Sequence, residues 1–205
     1  MRQIFIISLF FFCKMLSAQE LIGTPTSLIF VYNYPGNYFY LQLNGADKRK
    51  TDNENIFVID NKVIQIKTLH KDKFIKNTNQ DLAFQDFIKT YTNWEKNYLE
   101  ETFSFNINSK IEFLKSSKGQ DIAFWTYDMP LEKPKHSTDS TITTPTQTQL
   151  FVLTRIKDYM VGINSPLFEA ETFDPIKSYL ITNIDGIVES KNEIDVEALN
   201  KQMNK

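Results

Sequence analysis

The chain carries two long segments in which apolar side chains recur at steps of three and four residues. The first runs from about residue 79 to 101, and its apolar positions share one helical face: Phe84, Phe87, Ile88, Tyr91, Trp94 and Tyr98. The second runs from about residue 174 to 190, where Asp174 suits the N-cap and Pro175 suits the first helical position. This spacing predicts two amphipathic helices.

Short β-rich runs separated by turn residues occupy much of the remaining chain. Residues 27–43 read as two strands around Pro35 and Gly36, a pair that favours a type II turn and so predicts a looser corner than a tight hairpin. Tight hairpins are expected at residues 60–62 and 157–158, where polar residues separate two apolar runs.

Two of the β-rich runs, residues 122–127 and 150–153, are apolar at successive positions. A strand that is apolar on both faces is covered from both sides, so one helix cannot be its only cover. The predicted fold class is therefore α+β, with a mostly antiparallel sheet flanked by the two main helices, at about 79–101 and 174–190.

The order of these elements is strands, helix, strands, helix, over residues 27–190. This order is similar to that of the Mog1/PsbP-like fold, an α/β sandwich. Proteins of that fold mostly bind partners, so the resemblance implies a binding role. The chain departs from the fold in one long segment, residues 130–149.

The N-terminal segment has the parts of a cleavable export signal. One positive charge precedes the apolar run 4–13, which is too short to span a bilayer, and small residues precede a cut after Ala18. The ending, with Gln19 after the cut, resembles export signals of Bacteroidota. The alternative is a buried N-terminal strand or helix. We expect residues 1–18 to be a signal peptide and the product to be periplasmic or secreted.

The expected mature chain, residues 19–205, has a length that suits a single α+β domain. The one cysteine, Cys13, lies within the signal, so the mature chain has no disulfide. The formal net charge of −2 gives no indication of nucleic-acid binding. After the signal, no apolar run reaches membrane-spanning length.

Residue types that carry common enzyme chemistry are scarce. The two histidines, His70 and His136, have no second histidine at the spacing of a metal site, and the sequence contains no nucleophile elbow, P-loop or dinucleotide motif. We therefore predict no catalytic residue, no cofactor and no metal, and a non-enzymatic binding or interaction module.

Carboxylate pairs leave a second function open. Glu169 and Glu171 have strand-like spacing, and Glu100 and Glu101 end the first predicted helix. Two carboxylates are the groups that a glycosidase uses as acid and base. The alternative function is thus a carboxylate-based hydrolase such as a glycosidase.

Four tyrosines are the candidates for a ligand or partner surface. Tyr32 and Tyr34 alternate along one predicted strand, and Tyr38 and Tyr40 alternate along the next. Exposed tyrosines could stack on a protein or glycan partner, whereas buried ones would pair across the strands.

Residues 130–149 are rich in proline, threonine and serine and predict a long surface loop. Within it, Asp139, Ser140 and Thr141 resemble the periplasmic O-glycosylation motif of Bacteroidota. Ser140 is accordingly a candidate O-glycosylation site.

Overall fold

A computed structural model of the protein describes residues 19–53, 55–76, 80–130, 146–168 and 172–204. Its strands are β1 (Gln19–Gly23), β2 (Ser27–Tyr34), β3 (Asn37–Asn44), β4 (Lys48–Lys50), β5 (Ile56–Ile59), β6 (Lys62–His70), β7 (Ser109–Lys115), β8 (Asp121–Pro130), β9 (Thr146–Ile156), β10 (Tyr159–Pro166) and β11 (Ile187–Ser190). Its α-helices are α1 (Phe84–Phe103), α2 (Phe173–Ile184) and α3 (Val196–Met203), and a 3-10 helix covers Lys71–Lys73.

The described strands form two sheets, and neighbouring strands in both are antiparallel. The smaller sheet has the order β1-β2-β3-β11, and the larger has the order β4-β5-β6-β10-β9-β8-β7. The predicted α+β class with two main helices is confirmed. The strands divide into two packed sheets, where the sequence predicted one.

The two sheets face each other across an inner core that α2 completes. This core contains buried side chains from both sheets and from α2, among them Phe30, Phe39, Leu41, Phe124, Val152 and Leu180. Alternate residues of β8 point to opposite faces, so that Ile122 joins the inner core while Ala123 and Trp125 pack towards α1. The prediction that this strand is covered from both sides is confirmed.

Helices cover the outer face of each sheet. On the seven-stranded sheet, α1 buries Phe87 and Tyr91 in a second core. On the four-stranded sheet, Leu199 of α3 packs against Ile29 and Val31 of β2. The order of layers is therefore α1, seven-stranded sheet, four-stranded sheet, α3, with α2 against β3, β9 and β10.

Both predicted helices are present, with shifted ends. Helix α1 begins at Phe84 after the N-cap Ala83, where no side chain accepts a capping hydrogen bond. Helix α2 ends at Ile184, and the residues expected to form its last turn instead pair with β3 as β11. The chain passes close to β3 at Gly186, where a Cβ atom would lie 2.7 Å from the Gln42 carbonyl oxygen. Glycine permits this approach.

Asp185 ties the end of α2 to the turn between β7 and β8. Its carboxylate accepts hydrogen bonds from the Ser117 amide and hydroxyl at 3.1 and 2.6 Å, while Lys118 Nζ donates to its carbonyl oxygen. Burial acts to raise the pKa of Asp185, but the contacts with Ser116 and Ser117 and the charge of Lys118 outweigh it and hold that pKa below its usual value.

Two of the turns predicted from the sequence are present, and a third differs from the prediction. The hairpins at 60–61 and 157–158 are confirmed, and Asp60, Asn61 and Lys157 have the positive φ that tight turns require. The prediction of a looser corner at residues 35–36 is wrong. Tyr34 pairs directly with Asn37, so the hairpin is tight, and Gly36 takes a φ of +80°.

The strands also extend into the segment predicted as a long loop. β8 continues to Pro130, β9 begins at Thr146, and these two residues pair with each other. Residues 131–145, which include Ser140, lie outside the described residues.

Candidate binding site

An open cleft of about 470 Å³ lies between the C-terminal half of α1 and the outer face of the seven-stranded sheet. Strands β6, β8, β9 and β10 form its floor, and Glu95, Leu99 and Phe103 of α1 form one wall. Successive members of this set are four residues apart in sequence, so all three lie on one face of the helix. The volume is within the usual range of small-molecule sites.

Four amide side chains line the floor of the cleft. They are Gln65 of β6, Gln147 and Gln149 of β9 and Asn164 of β10. Asn164 pairs directly with Gln65, so these two side chains lie on the same face of the sheet. Each primary amide offers both a hydrogen-bond acceptor and two donor hydrogens.

A partly buried ion pair forms one side of the cleft. Lys67 Nζ donates to Glu95 Oε1 at 2.5 Å, and the two side chains are 28% and 8% exposed. The ammonium also lies 5.8 Å from the ring centroid of Tyr91. Burial, followed by the charge of Glu95, raises the pKa of Tyr91 and of the lining residue Tyr127, so both phenols stay neutral. The described charges that line the cleft therefore cancel.

Asn164 presents an unused acceptor in this neutral cleft. The residue is 5% exposed, and its Oδ1 atom is buried without a hydrogen-bond partner among the described residues. Leaving such a group unpaired costs roughly 1–3 kcal/mol. Asn164 also lines the cleft, so a rotation of its amide about χ2 would bring this oxygen within reach of a hydrogen-bond donor on a ligand.

Sequence reasoning missed this site, although a signal for it is present. In β6, Ile64 and Ile66 enter the inner core while Gln65 and Lys67 point to the other face. Such alternation is typical of a strand with one solvated face. Only the position of α1 shows that this polar face is partly covered.

The four tyrosines predicted as a ligand surface divide between the two faces of their sheet. Tyr32 and Tyr34 point towards the seven-stranded sheet, whereas Tyr38 and Tyr40 point the other way, because Tyr32 is paired with Phe39 and strand residues alternate. Tyr32 is buried, Tyr34 is 48% exposed, and Tyr38 and Tyr40 are half-buried. They do not form one continuous surface, and their role in binding stays a prediction.

Tyr32 and Tyr34 belong to an aromatic cluster with Tyr159 and His70. The Tyr159 ring centroid lies 5.2 Å from that of Tyr32, 6.1 Å from that of Tyr34 and 4.8 Å from that of His70. Burial, with the contact to the Tyr159 hydroxyl, raises the pKa of Tyr32. The cluster closes one end of the inner core and leaves Tyr34 as its exposed member.

The carboxylates considered for hydrolysis are not paired in the described part of the chain. Glu95 is the one carboxylate among the described residues that line the cleft. Glu100 accepts a hydrogen bond from the Ile107 amide at 2.8 Å, and Glu101 is exposed on α1. Glu169 and Glu171 lie outside the described residues. The described lining of the cleft therefore holds a single carboxylate, and the hydrolase alternative stays untested.

The described residues also hold no group of three or more histidine, cysteine, aspartate or glutamate side chains placed to bind a metal ion. None of the described helices is long and apolar enough to cross a bilayer.

Comparison with known proteins identifies the fold. No protein-family model matches the sequence, and no curated protein matches it. The chain is similar to the solution structure of cyanobacterial PsbP (CyanoP) from Synechocystis sp. PCC 6803, with a TM-score of 0.52 and 9% sequence identity. The match covers 82% of this chain and 95% of that chain. At this identity the likeness concerns the fold alone, and the expected PsbP-like fold is confirmed.

Proposed function

We propose that the protein is an exported, non-enzymatic binding module and that its ligand occupies the cleft between α1 and the seven-stranded sheet. The observation that carries the proposal is the buried, unpaired Oδ1 atom of Asn164 in a cleft that is open to solvent. The sequence resemblance to Mog1/PsbP-like proteins, which mostly bind partners, supports the same role.

The second part of the proposal is that the protein is exported. A signal peptide over residues 1–18 would be removed after Ala18. The product is then periplasmic or secreted. Mass spectrometry of the protein recovered from its host should find Gln19 at the N-terminus, and an intact Met1 peptide in the mature protein would contradict export with cleavage.

Ser140 is proposed as an O-glycosylation site. Pro130 and Thr146, which flank the segment that carries Ser140, pair with each other. Substitution Ser140→Ala should remove a glycan mass shift that the wild-type protein shows in its native host. Equal masses, apart from the substitution itself, would exclude modification at this residue.

Binding can be tested without knowing the ligand. Amide chemical shifts of the labelled protein are followed while a small-molecule extract of the host envelope is added. We expect the shifts to change at cleft residues such as Gln65, Glu95 and Asn164. Changes confined to Tyr34 and Tyr38 would instead favour the tyrosine-bearing strands, and no change anywhere would refute small-molecule binding.

A further inference from the structure

We infer that the cleft binds a short, uncharged saccharide. This inference rests on the proposed function and adds the chemical class of the ligand. It comes from three properties of the described lining: the absence of net charge, the excess of amide groups, and apolar side chains beside them.

The charge of the cleft disfavours ionic ligands. Lys67 and Glu95 are the charged residues in the described lining, and they are bonded to each other at 2.5 Å. An anion that approached Lys67 would meet the Glu95 carboxylate, and a cation that approached Glu95 would meet the ammonium. A zwitterion such as a dipeptide would have to separate the pair to use both charges. A neutral ligand leaves the pair intact.

The hydrogen-bonding groups match hydroxyls. Asn164 Oδ1 needs a donor, and three glutamine side chains line the same floor: Gln65, Gln147 and Gln149. A hydroxyl group both donates and accepts, so neighbouring hydroxyls on a sugar ring can satisfy amide oxygens and amide hydrogens together. An apolar ligand would cover these amides without replacing their water, which costs binding free energy.

The remaining lining suits the carbon face of a sugar ring. Leu99, Phe103 and Met129 are half-buried apolar side chains in the cleft. A pyranose has C–H groups on its faces and hydroxyls around its edge, so it can pack on such side chains while its edge meets the amides. Because the cleft is open to solvent, a ligand longer than one ring can extend out of it.

The test uses the mature protein, residues 19–205, and three neutral disaccharides: maltose, cellobiose and N,N′-diacetylchitobiose. The dipeptide Ala-Ala and glucuronate serve as zwitterionic and anionic comparators. Saturation-transfer NMR detects weak binding, and calorimetry gives the affinity. We expect at least one neutral disaccharide to bind and neither comparator to bind.

Matched variants locate the site. Asn164→Leu removes the unpaired acceptor at nearly constant shape and should weaken saccharide binding by roughly fivefold to tenfold, the value of one neutral hydrogen bond. Its melting temperature should equal or exceed that of wild type. Asn93→Leu makes the same change at an exposed position of α1 and should leave binding unchanged. If Asn164→Leu fails to fold, Gln149→Leu provides the same comparison at a half-buried amide.

The outcomes separate this inference from the proposed function. Binding of Ala-Ala or glucuronate in the cleft, without saccharide binding, would overturn the ligand class and retain the binding module. Absence of binding by all three disaccharides would likewise overturn the saccharide inference. The binding module itself is judged by the envelope-extract titration, which does not depend on the choice of disaccharide.

Discussion

Substitution Lys67→Met tests whether the ion pair in the cleft contributes to stability. The variant keeps an unbranched side chain one atom shorter and removes the ammonium, which leaves the Glu95 carboxylate, 8% exposed, without the partner that lies 2.5 Å away. Removing one member of a fully buried pair costs about 3–5 kcal/mol. Because Lys67 is 28% exposed and water reaches it, we expect a smaller loss, about 2–3 kcal/mol.

Urea unfolding followed by tryptophan fluorescence measures this loss, since Trp125 is 1% exposed and reports on the core beneath α1. The melting temperature should fall by roughly 5–10 °C, at about 2–4 °C per kcal/mol for a domain of this size.

The double variant Lys67→Met with Glu95→Gln separates the pair from its surroundings. With no buried charge left, it should recover most of the stability that Lys67→Met alone loses, and the two substitutions should show a coupling of about 1–3 kcal/mol. Additive effects, with a coupling below about 0.5 kcal/mol, would refute the view that Glu95 depends on Lys67.

Further predictions concern the two cores, the titration of Asp185, the close approach of Gly186 to β3, and the segment between β8 and β9. Phe87→Asp and Leu180→Asp each place an unpaired charge in a core, so both should abolish the cooperative melt, and a melt within 2 °C or so of wild type would remove that helix from the core. Asp185→Asn should destabilise the protein at pH 7, and the deficit in unfolding free energy should shrink below about pH 4, because a lowered folded pKa stabilises only while the carboxylate is charged. A deficit that is constant from pH 7 to pH 3 would contradict this. Gly186→Ala should lower the melting temperature, since its Cβ atom would lie 2.7 Å from a carbonyl oxygen of β3; an unchanged melt would show that the strand yields. Replacing residues 132–144 with a short Gly/Ser turn should leave the melting temperature nearly unchanged, because the flanking strand ends already pair; a large loss would show that the segment packs.

The sequence predicted the helices and the strands that are apolar on both faces, because these patterns are local. The apolar steps around Phe87 and Tyr91 place both side chains on one face, and both are buried. The same stripe includes Tyr98, which is 57% exposed and stacks on Trp94. A periodic pattern shows which face of a helix is apolar. It does not show how far along the helix that face is buried by the sheet.

Features that depend on distant partners were predicted less well. The turn preference of Pro35 and Gly36 predicted a loose corner, yet β2 and β3 pair along eight residues each, and this ladder keeps the hairpin tight. The pairing of Lys67 with Glu95 joins residues 28 apart in sequence. Nothing in either local segment indicates that the other lies opposite.

The four-stranded sheet joins the two ends of the described chain. Its first three strands come from residues 19–44. Its fourth strand, β11, and the helix α3, which covers the outer face of the sheet, come from residues 187–203. Until those last residues have been synthesised, β3 has an unpaired edge and Ile29 and Val31 of β2 lack their cover. A chain made from its N-terminus therefore completes this sheet only after residues 187–190 are available, so the pairing of β3 with β11, across more than 140 residues of sequence, is a late step in folding.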